Sequence, residues 1–167
     1  MILRAMTFAG ALAGGAGLSQ FPEYATQYEQ RLAGAADEMR AVVANFDGML
    51  ADLGQTRDQA FAPDQDLSER ETRMLGNAQN NINRLAFLET ALARVQDASV
   101  FEKMTAMPRI ADRQIGARAF EDFKPAVPLN VDGIACAGLG FIGGWVLFSL
   151  LIGALRLPFR RRKDATA

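Results

Sequence analysis

Residues 131–155 read VDGIACAGLGFIGGWVLFSLLIGAL, and from Gly133 to Leu155 no charge interrupts 23 consecutive residues. A helix needs about 20 apolar residues to cross the hydrocarbon core of a bilayer, where every backbone amide must bond within its own segment. The stretch is therefore expected to be a transmembrane helix. Directly after it, Arg156, Arg160, Arg161, Arg162 and Lys163 are opposed by Asp164 alone. Basic residues beside a span mark its cytoplasmic side, which places the chain before Val131 outside the cytoplasm. Because this cluster abuts a span and holds only four consecutive basic residues, its expected partner is the anionic headgroup of membrane lipid and not nucleic acid.

The other end of the chain is apolar as well. MILR is followed by AMTFAGALAGGAGLSQF, uncharged from Ala5 to Phe21. Two readings fit: an uncleaved first span, or a secretory signal cut after the small residues near Ala13 or Ala16. In both, Arg4 stays in the cytoplasm and the chain beyond Phe21 is exported. The small residues favour the anchor, which is then expected to turn at SQFP, Ser19 to Pro22, into the exported helices. Gly10 and Gly14 form GxxxG with Gly17 three residues on, and Gly133, Ala137, Gly140 and Gly144 recur in the last span at steps of 4, 3 and 4. Small faces let helix backbones approach closely, and within lipid packing of this kind drives association. Trp145 falls near the middle of its span, level with Gly10 to Gly14 if the spans run antiparallel. Its ring then either packs on those glycines, with Thr7 as a partner for the indole N–H, or faces lipid or another subunit.

The middle differs in charge. Ser19 to Lys124 holds 17 acidic and 12 basic residues, a net charge of −5 within a chain whose total is −1. From Tyr28, the residues Leu32, Ala35, Met39, Val42, Phe46, Met49 and Leu53 follow at alternating steps of 4 and 3. That is the heptad seam of a helix paired along its length. Gly54 is expected to end the helix as a left-handed cap. After a loop, QTRDQAFAPDQ, the D-x-x-E spacing of Asp66 to Glu69 resembles a capping box. A second helix is expected from there, carrying Leu67, Met74, Ala78, Ile82, Leu85, Leu88, Leu92 and Val95 on one face. A short amphipathic helix is expected after Pro108, in RIADRQIGARAFEDFK, ended by Pro125 and Pro128. The predicted fold is thus all-α, two transmembrane helices plus an exported antiparallel long-helix, coiled-coil-like hairpin. Its parts are a first span over 1–21, the helical region over 22–124, a second span over 125–157 and a basic tail over 158–167.

Chemistry is sparse. Histidine is absent and Cys136 is the only cysteine, which removes the common general base, a histidine-ligated haem, a four-thiolate zinc site and an intrachain disulfide. Paired carboxylates such as Asp37 with Glu38, or Glu121 with Asp122, are adjacent on a helix and point about 100° apart. No phosphate loop or dinucleotide fingerprint is present. No catalytic residue, cofactor or metal is therefore expected. The favoured reading is a non-enzymatic accessory or assembly subunit of a membrane complex, binding another membrane protein through its spans and helical region, with self-association through the heptads as a further partner mode. An enzyme working with carboxylates alone, and a signal-cleaved periplasmic binding module held by its last helix, are the competing readings.

The opening AGALAGGAGLSQFPEY and the closing FEDFKPAVPLNVDGIACAGLGFIGGW resemble the bacterial membrane proteins grouped as domain-of-unknown-function family 2937. The resemblance covers both ends and, more loosely, the helical middle. It implies a small protein of the bacterial inner membrane that keeps its first segment. It supplies no catalytic signature.

Overall fold

The computed structural model describes residues 1–63, 66–125 and 130–160, leaving aside the side chains of residues 108–110 and 156–160. The described residues form helices and no strand: α1 (Ile2–Ser19), α2 (Phe21–Asp52), α3 (Arg57–Ala60), α4 (Glu69–Gln96), α5 (Val100–Ile110), α6 (Arg113–Glu121) and α7 (Val131–Arg160). The chain divides into two compact units, Met1–Thr26 with the segment from Asp122 onward, and Gln27–Glu121. Two helical stretches, one within Ile2–Asp52 at the N-terminus and Val131–Leu155 in α7, are long and apolar enough to cross a membrane.

In the first unit α1 and α7 run antiparallel in close contact. Asn130 starts α7, its side-chain oxygen accepting from the Gly133 amide at 2.8 Å, which satisfies one donor that a helix start leaves without a partner. The expected turn at SQFP is replaced by a single residue, Gln20, whose backbone stays right-handed helical at φ −80° and ψ −14°. Pro22 does not force a turn because the first turn of a helix needs no amide donor at that position. The Tyr24 and Phe123 rings meet edge to face, 6.2 Å between centroids.

In the second unit α4 returns alongside α2. Arg40 pairs with Glu89 at 2.8 Å, while Phe46 shares a groove with Met74 and Ala78, so the two helices are antiparallel. The face that α2 buries differs from the heptad seam. Tyr28, Leu32, Ala36, Val43 and Leu50 are buried, with Met39 and Phe46 half-buried between them, whereas Val42, Met49 and Leu53 are exposed. From Tyr28 to Leu50 six steps cover 22 residues, close to the 3.6-residue repeat of a straight helix and longer than the 3.5 of a left-handed coiled coil. Adjacent apolar pairs, Val42 with Val43 and Met49 with Leu50, make both phases legible in the sequence. Packing selects the straight one. Gly54, with φ at +66°, ends the helix as expected. Its amide bonds to Ala51 and that of Gln55 to Leu50, the pair of bonds that defines a Schellman cap.

The remaining differences come from capping. Thr56, Ser68 and Ser99 each accept from the amide three residues on, while Gln59, Glu71 and Glu102 reach back to the cap amide. The first box turns part of the expected loop into α3. The second starts α4 at Ser68 and not at the D-x-x-E of Asp66. The third creates α5, for which the periodicity made no provision, and α5 runs through Pro108 to Ile110. The break expected at Pro108 falls instead at Ala111 and Asp112, because a proline in a last turn forfeits only one helical bond. The Ser68 and Ser99 hydroxyls, followed by their backbone amides, hold the Glu71 and Glu102 carboxyls below the ordinary carboxylate range. Ser99→Ala is expected to cost about 1 kcal/mol, read as a lower Tm of the full chain in detergent. It is also expected to return the Glu102 carboxyl toward its ordinary value, read by NMR titration.

Candidate functional site

Two constellations stand out, one in each unit. In the first, small residues of α1 and α7 bring backbone against backbone. A Cβ placed on Gly14 would strike the Gly140 carbonyl oxygen, and one placed on Gly140 would strike that of Gly14 and lie 2.7 Å from the Leu18 Cβ. A Cβ on Gly144 would come within 2.5 Å of the Gly10 carbonyl oxygen and 3.1 Å of the Ala11 Cα. Gly15 faces the Ala137 carbonyl, with 3.0 Å left for any added carbon. Gly133 is buried near the start of α7. The side chains that would hold the helices apart are therefore missing where Gly10 to Gly15 cross Ala137 to Gly144.

Not every expected residue joins this face. Gly17 has no neighbouring group within 4 Å of an added carbon. The contact stripe passes through Gly14, Gly15 and Leu18, and Gly17 lies beyond its edge. Trp145 does not rest on the glycines of α1. It is 44% exposed, with its ring 6.3 Å from that of Phe141, which in turn meets Phe8 edge to face at 6.0 Å. One residue past Gly144 is a rotation of about 100°, enough to carry Trp145 out of the interface. Phe148, four residues past Gly144, stays on it and lays its ring over Gly10. Thr7 donates to its own helix at the Leu3 carbonyl, 3.0 Å away, and the Ser19 hydroxyl does so at Ala16, 2.8 Å. Both hydroxyls are thus satisfied within the helix.

Ala11, Gly15, Cys136 and Phe148 were not legible from the glycine spacing alone. Counting glycines four apart locates half of a face whose other half is the neighbouring residue at each turn. Of the basic anchors, Arg4 is exposed in the first turn of α1. Arg156 and Arg160 belong to α7 by backbone, while Arg161, Arg162 and Lys163 lie outside the described residues.

The second constellation is polar and centres on Asp112, which is 9% exposed. Its Oδ1 accepts from the amides of Gln114 at 3.0 Å and Ile115 at 2.9 Å, capping α6. Its Oδ2 accepts from Arg84 on α4 at 2.6 Å, and its own amide donates to the Tyr28 hydroxyl on α2 at 2.9 Å. Burial pushes the carboxyl up, but Arg84 and the two cap amides outweigh it, and the net shift is down. Nearby in the sequence, Lys103 on α5 pairs with Glu29 on α2 at 2.6 Å, both mostly buried. These bonds tie α4, α5 and α6 to α2. The sequence signal for Asp112 was its place just before the amphipathic run of α6, the usual position of a helix N-cap. Nothing signalled Arg84 or Tyr28.

A family model described as a protein of unknown function (DUF2937) matches residues 1–161. The chain belongs to this family. The DUF2937 match takes in α1 through α7, so the paired apolar helices and the polar node both lie inside it. No curated protein and no solved structure matches the chain.

Proposed function

We propose that this DUF2937 protein is a non-enzymatic integral membrane protein that serves as an accessory or assembly subunit of a larger membrane complex. It resides in the bacterial inner membrane with both termini cytoplasmic and α2 to α6 in the periplasm. The observation that carries the reading is the backbone contact of Gly10 and Gly14 with Gly140 and Gly144. The close packing of the two helices supports a retained first span over a leader destined for removal. It also leaves the outward side chains Leu12, Ile142, Leu147 and Leu150 exposed, an apolar surface suited to lipid and to other membrane helices. Arg4 and the basic cluster after the second span support the orientation through the positive-inside rule. The carboxylates best placed for chemistry are already engaged, Asp112 by Arg84 and Glu29 by Lys103.

Purification of the tagged full chain in mild detergent, followed by intact mass and identification of copurifying proteins, tests this. The expected result is a chain retaining residues 1–16 together with a reproducible membrane-protein partner. A mature chain lacking those residues, or a chain recovered without any other protein under every mild condition, overturns it.

A further inference from the structure

Toward the C-terminal end of α2 the fold leaves an apolar strip unburied. Val42, Met49 and Leu53, the last 66% exposed, line one wall of an open groove, and Met74 of α4, 55% exposed, lines the other. Val42 and Met49, seven residues apart, belong to the heptad seam, whose Phe46 is half-buried beside Phe61, 5.9 Å between ring centroids, while the fold buries Val43 and Leu50 next to them. The helix thus carries two overlapping apolar phases, and among the described residues Val42, Met49 and Leu53 of the second stay exposed. Contiguous apolar surface of this kind marks an interaction site.

The shoulders of the groove indicate what covers it. Asn45 and Asp52 follow Val42 and Met49 by three residues, so they flank the α2 wall on its outward side. On α4, Arg70 and Asn77, four residues before and three after Met74, flank that wall and lie together beside it. Asp52 and Arg70 stand at the same end of the groove, where Leu53 and Met49 meet Leu67 and Met74, and neither makes an ion pair among the described residues. One shoulder therefore offers Asp52 and Asn45, and the other offers Arg70 and Asn77, because Glu69 is paired with Arg73 and Glu71 is held by its Ser68 cap. We propose that this groove is covered by a second copy of the chain, in a two-fold dimer whose axis runs parallel to α2 and α4. That operation lays α2 of each copy over α4 of the other. Asp52 then opposes the partner copy's Arg70 twice, and Asn45 opposes the partner copy's Asn77 twice. Such self-complementarity is what an isologous interface requires, and opposed asparagines among apolar residues set its register.

The test uses the full chain in mild detergent and in reconstituted vesicles. Two differently tagged Cys136→Ala chains are mixed, one carrying Asp52→Cys and the other Arg70→Cys, and oxidised. A disulfide-linked heterodimer is expected. In analytical ultracentrifugation Asp52→Arg is expected to weaken the dimer about tenfold, Arg70→Asp added to the same chain to restore it, and Leu53→Glu to abolish it. Circular dichroism at unchanged helicity confirms that these surface variants fold. A monomer at every concentration, a dimer indifferent to Asp52→Arg and Leu53→Glu, or a cross-link from the Asp52→Cys chain to a different protein overturns the proposal.

Discussion

Gly140→Leu is expected to separate the two apolar helices, with a loss of about 3 kcal/mol or more, at the upper end of overpacking costs. The reason is geometric. Even a Cβ on Gly140 would strike the Gly14 carbonyl oxygen and press on the Leu18 Cβ, and a carbonyl locked into a helical bond cannot swing away. Whole helices must move, and the contacts of Gly10, Gly15 and Gly144 are lost together. Trp145 is the only tryptophan and sits beside Phe141, which touches Phe8 of α1, so its fluorescence reports the separation in an SDS titration. Gly138→Leu and Gly17→Leu supply the control on the same two helices. An added carbon at either position meets nothing within 4 Å, and both are expected to stay within about 0.5 kcal/mol of the parent. Equal losses at Gly140 and Gly138 would show that the glycines matter for some reason other than close approach.

The second large effect is expected at Asp112. Asp112→Ala removes the α6 cap and the partner of Arg84 in one step, for a combined loss of about 3 kcal/mol. Asp112→Asn keeps an oxygen able to cap but loses the charge that Arg84 meets, and is expected to cost about half as much. Because the folded-state carboxyl lies below its ordinary value, the unfolded chain takes up the proton more readily. The contribution is fully present above the unfolded value, about pH 4, and fades as pH falls through the lower folded-state value. Urea or SDS unfolding of the full chain at pH 7 and at pH 3 checks this. The gap between parent and Asp112→Asn is expected to narrow at the lower pH, and a gap of constant size would mean that the charge on Asp112 does not stabilise the fold.

Some of this architecture is legible in the residues alone. The uncharged run from Gly133 to Leu155 announces a helix fit to cross a membrane, because length and apolarity are properties of a stretch and need no neighbour. The apolar repeat of α2 and the cap at Gly54 are equally local. Capping boxes belong to the same class, and α3 and α5 are written into Thr56 to Gln59 and Ser99 to Glu102. What stayed hidden was whichever of two local answers packing would choose. Val42 and Val43 both offer a seam, and the choice falls to the elements that cover α2. Gly14 and Gly15 both offer a small face, and the contact with α7 uses both while passing Gly17 by.

The sequence alone therefore determined the helical class, the two apolar helices, the separation of charge between middle and end, and the small residues that allow close approach. Each depends on residue type and spacing along one strand of chain. Tertiary structure alone decided that Phe148 and not Trp145 covers Gly10, that the straight seam of α2 is the buried one, and that Asp112 joins α2, α4 and α6. Those outcomes turn on rotations of about 100° per residue and on contacts such as Tyr28 with Asp112, 84 residues apart. A one-dimensional pattern holds no information about which of several adequate faces meets another until both helices are in place.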